Sequence, residues 1–269
     1  MEELIKNPIL QSIAAGLATS CLMFLITWTQ SVKYKNGAVA DLTWSFGFVV
    51  LALVYCLMND GWLVRKILLM VPVTIWSMRL GIYIARRTFA HIHKEDTRYR
   101  HLREQAKGNE DIYFLWICAC QAVLQAVVSL PFIITSLDNF ESIRITEYAA
   151  LALFVVAFIG ETTADKQLEN FTKRTDKTKK EVCKDGLWRY SRHPNYFFEW
   201  LIWCAWALLA FASPYGFWAI SSPLIMLVML LVFSGVKISE EVSLKSRGDA
   251  YRQYQKETSP FIPWFPKTK

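Results

Sequence analysis

Residues 200–236 read WLIWCAWALLAFASPYGFWAISSPLIMLVMLLVFSGV, 37 positions without a charged side chain. As one helix they would extend about 55 Å at 1.5 Å per residue, nearly twice the ~30 Å hydrocarbon core of a bilayer. The Ser213-Pro214-Tyr215-Gly216 cluster inside them is a turn signal, so the stretch reads as two membrane-crossing helices in a hairpin. Five further runs of membrane length, free or nearly free of charge, precede it at 7–32, 42–59, 67–85, 112–137 and 146–164. Each suits one crossing of roughly 20 residues. The fold expected is all-α: a polytopic integral membrane protein with seven transmembrane helices. The first run is too long for a removed signal peptide and counts as the first span. No internal repeat is visible, so residues 1–269 read as one membrane-embedded domain.

Composition agrees with this class: 54% of the residues are hydrophobic and 14% aromatic, and the charges gather in a few segments. With seven spans, Lys and Arg divide 25 to four between the two sides, with Arg79 inside the third span. That bias predicts a cytoplasmic basic side, a cytoplasmic C terminus and an N terminus outside. The net charge of +7 then serves topology and attraction to anionic membrane lipids, and nucleic acid is not an expected partner.

Of six cysteines, Cys21, Cys56, Cys118, Cys120 and Cys204 fall in expected spans and Cys183 in a polar segment. Buried reduced thiols are the reading. Cys118-Ala-Cys120 lacks redox or zinc spacing and no second pair exists. His91, His93 and His101 with Glu95 and Asp96 could in principle ligate a metal, but without a second cluster they read as an ordinary polar loop, and no metal is expected.

Ionisable groups placed where hydrocarbon should be point to chemistry. Asp41 opens the second span, Arg79 lies within the third, Glu161 and Asp165 sit four apart near the end of the fifth, and Glu199 lies a turn into the sixth. All but Arg79 fall near the expected cytoplasmic end, and Arg79 can reach it by snorkelling. They share that end with the block Gly186-Leu-Trp-Arg-Tyr-Ser-Arg192-His193-Pro194-Asn195-Tyr196-Phe-Phe-Glu199. A polar pocket open to the cytosol is expected.

No Gly-x-Gly and no Gly-Lys-Ser/Thr occurs, so a nucleotide would be held by side chains rather than by a dinucleotide or phosphate loop. Arg189 and Arg192 can grip phosphate, and Trp188, Tyr190 and Tyr196 offer ring faces. Arg189, Arg192 and His193 precede Pro194, which suits the first turn of a helix whose positive end would point at the same spot. The tail adds Glu240, Glu241, Lys245, Arg247, Tyr251, Arg252 and Tyr254, then Pro260-Phe-Ile-Pro263-Trp-Phe-Pro266. It reads as an amphipathic interfacial helix with an aromatic anchor that could also clamp a cofactor.

At these residues the chain resembles a known family. Gly160-Glu-Thr-Thr-Ala-Asp165-Lys-Gln167, the 186–199 block, Gly248-Asp-Ala-Tyr251-Arg-Gln-Tyr254 and Phe261-Ile-Pro-Trp264 are similar to bacterial members of the steroid 5-alpha-reductase superfamily. Ala40-Asp41-Leu-Thr-Trp44, Arg79-Leu-Gly-Ile-Tyr83 and Glu95-Asp96-Thr-Arg98-Tyr99 also fit it. The resemblance implies a seven-helix enzyme, in a bacterial inner membrane, that uses NADPH to reduce a double bond conjugated to a ketone, as in 3-oxo-delta-4 steroids or a related lipid-like enone. It places Asp165, Asn195 and Glu199 at cofactor contacts, with Glu161, Arg189, Tyr190, Arg192, His193, Tyr196, Arg247, Tyr251 and Tyr254 around them. Where the mammalian reductases carry Asn four residues before the matched Asp, this chain has Glu161. Trp44, Trp76 and Arg79 are expected at the substrate. Hydride from NADPH would reach the beta carbon, and a donor must stabilise the charge that develops on the carbonyl oxygen. Protonated Asp41 or the Tyr83 hydroxyl is expected in that role. The same C-terminal pattern is similar to isoprenylcysteine and phospholipid methyltransferases, which use S-adenosylmethionine. Seven spans with Asp41, Arg79 and the 96–99 motif fit the reductases better.

Overall fold

A computed structural model describes residues 7–90, 99–100, 106, 108–176, 180–233 and 235–267. The expected histidine–carboxylate group at His91, His93, Glu95, Asp96 and His101 lies outside them. Among the described residues the chain is helical, with one isolated bridge from Ser191 to Ser259. Six helical stretches are long and apolar enough to cross a membrane: Pro8–Tyr34, Val39–Met58, Leu63–Ala90, Glu110–Leu137, Ile145–Arg174 and Gly216–Arg247. The chain is an integral membrane protein. We label the helices α1 (Pro8–Tyr34), α2 (Val39–Met58), α3 (Leu63–Ala90), α4 (Glu110–Val128), α5 (Leu130–Leu137), α6 (Ile145–Arg174), α7 (Pro194–Phe211), α8 (Ser221–Val228), α9 (Val236–Arg247) and α10 (Asp249–Glu257).

The long stretch breaks at the expected turn. α7 ends at Phe211, Tyr215 takes a left-handed conformation, and a 3-10 turn over Gly216–Ile220 leads into α8, which ends in a π-helical turn at Met229–Phe233. Elsewhere the sequence expectation is corrected in detail. The span expected over 112–137 is one membrane-length stretch, Glu110–Leu137, broken at Ser129 into two helices because Pro131 lacks the N–H needed to continue α4. α3 continues past the expected end at 85 to Ala90, so Arg79 lies three turns inside it.

The chain forms two compact units: residues 1–146 with 209–222, and residues 147–208 with 223–269. In the first unit, polar side chains fix helices that hydrophobicity alone could not order, since lipid is as apolar as the helix faces. Gln125 of α4 is fully buried and donates to the carbonyls of Thr43 and Trp44 on α2 at 3.1 and 3.0 Å. It fits because Gly47 has no side chain; a Cβ there would meet the Gln125 amide nitrogen at 2.5 Å. Asn59 joins Ser12 and Ser136 at 3.0 and 2.9 Å, and Tyr55 meets Ser129 at 2.9 Å. The outward faces keep apolar side chains exposed, Leu22, Ile26 and Leu57 among them, as a lipid-facing surface does.

At the end of this unit where α5 stops, Arg65 is completely buried. Its guanidinium lies 3.2 Å from the Asp138 carboxylate and donates to the carbonyls of Asp138, Phe140 and Ser142. Arg144 closes the other side of Asp138 at 2.5 Å. Burial pushes the Asp138 carboxyl up, but hydrogen bonds from Arg144 and the Phe140 amide, with the Arg65 charge, hold it below the usual range. The folded state therefore gains from Asp138 above its ordinary pKa and loses that gain as pH falls below it. We predict that the detergent-purified protein melts lower as pH drops under about 4 and that Asp138→Asn removes much of this dependence. At neutral pH, Asp138→Ala should destabilise by about 3–5 kcal/mol, because it leaves Arg65 buried without its counter-charge; a thermal melt checks both.

Candidate functional site

The second unit gathers most of the residues expected at a cofactor. Glu161 and Asp165 lie one turn apart on α6, both buried. The chain returns to this face through a 3-10 turn at Gly186–Arg189. Two bonds hold the turn to α6: Trp188 Nε1 donates to the Ala164 carbonyl at 2.9 Å, and Gln167 Oε1 accepts from the Leu187 amide at 2.9 Å. Pro194 then occupies the first helical position of α7, as expected, and Ser191 Oγ caps the entry by accepting from the His193 amide at 3.1 Å.

The first turn of α7 delivers three polar groups. Asn195 Nδ2 donates to Asp165 Oδ1 at 3.2 Å, while the buried Asn195 Oδ1 has no hydrogen-bond partner among the described residues. The His193 and Tyr196 rings stack parallel, 5.6 Å between centroids and 3° between planes. Glu199 is buried and accepts from Trp203 Nε1 at 3.0 Å. The start of α7 thus carries a buried amide acceptor joined to the Asp165 carboxylate, an aromatic ring at the next position and a buried carboxylate one turn on. Such a set suits a ligand carrying N–H and hydroxyl donors and a planar ring.

Arg192, expected as a phosphate grip, is committed inside the protein. Its Nε donates to Glu240 Oε1 at 2.6 Å, and its Nη1 donates to the carbonyls of Gln255 and Thr258 at 3.0 and 2.7 Å. Glu240 also lies 3.4 Å from His193 Nε2 and accepts from Gln255 Nε2 at 2.8 Å. Tyr254, almost fully buried, donates its hydroxyl to the Trp188 carbonyl, with the Ser191 carbonyl at 3.3 Å. Burial raises its pKa, and raises that of Tyr251 to about 12 with help from the Glu240 charge. Both tyrosines thus stay protonated and hold the tail by packing and donation rather than by charge. Arg247 donates to the Glu181 carbonyl at 2.9 Å and to Ser243 Oγ at 3.2 Å, and Arg189 is exposed. The tail is sewn on by backbone bonds as well: Arg192 N to Ser259 O at 2.8 Å and Trp264 N to Tyr190 O at 2.9 Å. Phe265 packs edge-on against the Tyr190 ring.

The remaining expected residues belong to the first unit. Asp41 opens α2, where its Oδ1 accepts from the Tyr99 hydroxyl at 2.7 Å and its Oδ2 lies 3.9 Å from Arg87. Tyr99 itself is buried, edge-on to Phe114. Trp76 is completely buried against Phe48, and Trp44 packs edge-on to the same ring at 5.3 Å. Trp76 therefore offers no exposed surface. Arg79 and Tyr83 are half-buried one turn apart on α3.

Sequence reading paired neither Asp41 with Tyr99 nor Arg65 with Asp138. The Asp41 partners come from chain positions 46 and 58 residues away, and no spacing rule joins them. Arg65 reads as a loop cation; the only signal was an acidic residue at the end of an apolar run with Arg144 six positions on.

Removing the Arg192 guanidinium tests the role of the knot. Arg192→Met leaves Glu240 without its cation and two carbonyls without a donor, so the tail should undock. We predict that limited trypsin digestion at Arg252 and Lys256 accelerates at least about tenfold, whereas Tyr254→Phe loosens the tail by only about 1–3 kcal/mol.

A protein of Schizosaccharomyces pombe described as uncharacterized is 26% identical over 279 residues, covering 92% of this chain and 78% of its own length. No solved structure matches the chain significantly. Residues 27–258 match the family described as "Protein of unknown function (DUF1295)". That match takes in both units, from α1 through α10, and the chain belongs to this family.

Proposed function

We propose that this membrane protein is an NADPH-dependent reductase of a carbon–carbon double bond conjugated to a ketone, with 3-oxo-delta-4 steroids as the substrate type. Its 160–167, 186–199, 248–254 and 261–264 segments resemble the steroid 5-alpha-reductase superfamily. The chain crosses the bilayer seven times, α7 adding the sixth crossing in chain order with 18 residues that open on Pro-Asn-Tyr and include Glu199. The N terminus lies outside, and the site faces the cytoplasm with the basic segments.

The observation that carries the reading is Asn195. A buried carbonyl oxygen without a donor costs about 1–3 kcal/mol, and a nicotinamide carboxamide has the N–H that would answer it. Asn195 and Asp165, already joined, would orient that end; the Tyr196 face would take the ring. Glu161, Asp165 and Glu199 suit the hydroxyls of a ribose, because carboxylates accept and do not bind phosphate. Arg192, Tyr251, Tyr254 and Arg247 frame the site through the tail. When bound, NADPH supplies the hydride for the beta carbon of the enone. The donor proposed for the substrate oxygen, where negative charge develops, is the Tyr83 hydroxyl. Asp41 acts as an acceptor, since Tyr99 donates to one of its oxygens and Arg87 faces the other.

Thermal melts of the purified protein with NADPH, NADH and S-adenosylmethionine test the cofactor. NADPH at 100 times its dissociation constant should add about 2.7 kcal/mol, and Asn195→Leu should abolish that gain, measured against the variant's own apo melt. Stabilisation by S-adenosylmethionine alone overturns the reductase in favour of a methyltransferase. Tyr83→Phe should lower kcat on an enone substrate about 10²–10³-fold with NADPH stabilisation unchanged; wild-type turnover removes Tyr83 from the chemistry.

A further inference from the structure

Apart from the polar cluster, the second unit carries an open groove of about 570 Å³ on the outer side of α6. Its floor and walls are Val156, Ile159, Thr163, Gln167, Tyr190 and Phe198. The groove exists because Gly160 lets the Phe198 ring sit against the α6 backbone; a Cβ at Gly160 would meet that ring at 2.5 Å. Val156 and Ile159 are more than half exposed on a helix of membrane-crossing length, so the medium over them is hydrocarbon.

The groove is graded along its length. Val156, Ile159, Thr163 and Lys166 follow one face of α6 at helical spacing, so the stripe runs from branched apolar chains through a hydroxyl to an ammonium. Gln167 and Tyr190 form a polar band at the same end, and exposed Arg189 precedes Tyr190. Asp185 does not cancel these cations, because Arg174 holds it at 2.5 Å. From Val156 to Gln167 the helix rises about 16 Å, one leaflet of a ~30 Å hydrocarbon core. The level of the polar end is marked independently: Trp264 and Phe265 are each at least 70% exposed, and Phe265 lies 6.1 Å from the Tyr190 ring. Exposed aromatics of this kind sit at the headgroup level.

We propose that this groove is a binding site for one anionic glycerophospholipid of the surrounding bilayer, an acyl chain lying along Val156, Ile159 and Phe198 and the phosphate at Lys166 and Arg189. The site is separate from the Asn195 cluster and stands whether or not the reductase reading does. The acyl chain accounts for the apolar length, the glycerol oxygens for Thr163, Gln167 and Tyr190, and the anionic headgroup for the two cations.

The test is native mass spectrometry of the full chain released from nanodiscs of equal phosphatidylcholine and phosphatidylglycerol. The wild type should retain one phosphatidylglycerol. Thr163→Trp, at an exposed position, fills the groove and should lose it while running as a single gel-filtration peak. The double variant Lys166→Glu, Arg189→Glu alters only exposed side chains and serves if the tryptophan variant does not fold. It should lose the preference for phosphatidylglycerol by about tenfold or more. Absence of a retained phospholipid on the wild type, equal retention of the two lipids, full retention by a folded Thr163→Trp, or an unchanged preference in the double variant overturns the proposal.

Discussion

Polar groups removed from water must find partners within the protein, and in a membrane-spanning chain that requirement selects the arrangement of helices. Lipid rewards burial of a leucine against another helix little more than leaving it in the bilayer. Gln125, Asn59 and Arg65 have no such freedom. Gln125 reaches two α2 carbonyls through the gap at Gly47. Asn59 ties α1 to the end of α5 through Ser12 and Ser136. Arg65 gathers the carbonyls after α5 around one guanidinium. Each contact fixes a rotation and a depth that the surrounding apolar residues would leave loose.

The second unit applies the same rule to the polar end of the last apolar stretch and to the tail after it. Helices α9 and α10 are short and polar, and their stability rests on docking. The Arg192–Glu240 pair, with Gln255 and Thr258, supplies that docking beside the entry of α7. The residues immediately after Arg192 are therefore presented on a backbone held from two sides. Pro194 starts the helix, and Asn195 leaves its first turn toward Asp165 of α6. A site built on a braced helix start can hold an amide within the tolerance that chemistry requires.

A division of labour between neighbouring basic residues follows. Arg192 is mostly buried and structural; Arg189, three positions earlier, is exposed and available to a ligand. Sequence treats them alike, since both lie in one aromatic and basic block. Their roles separate only because the 3-10 turn at Gly186–Arg189 turns one outward and α7 carries the other toward Glu240.

The membrane class, six of the helical spans, the break near Ser213 and the helix start at Pro194 were legible in the chain. They depend on local quantities, namely runs of apolar side chains and residues that bar or favour particular backbone angles. Asp165 and Asn195 were legible as costly polar residues, but only the hydrogen bond between them gave them geometry. The partners of Asp41, the burial of Arg65, the enclosure of Trp76 and the inward commitment of Arg192 were decided by tertiary structure. Each depends on contacts between residues distant in the chain, for which one sequence carries no local signal. Hydrophobicity placed the helices, and the pairing of buried polar groups decided how they fit together.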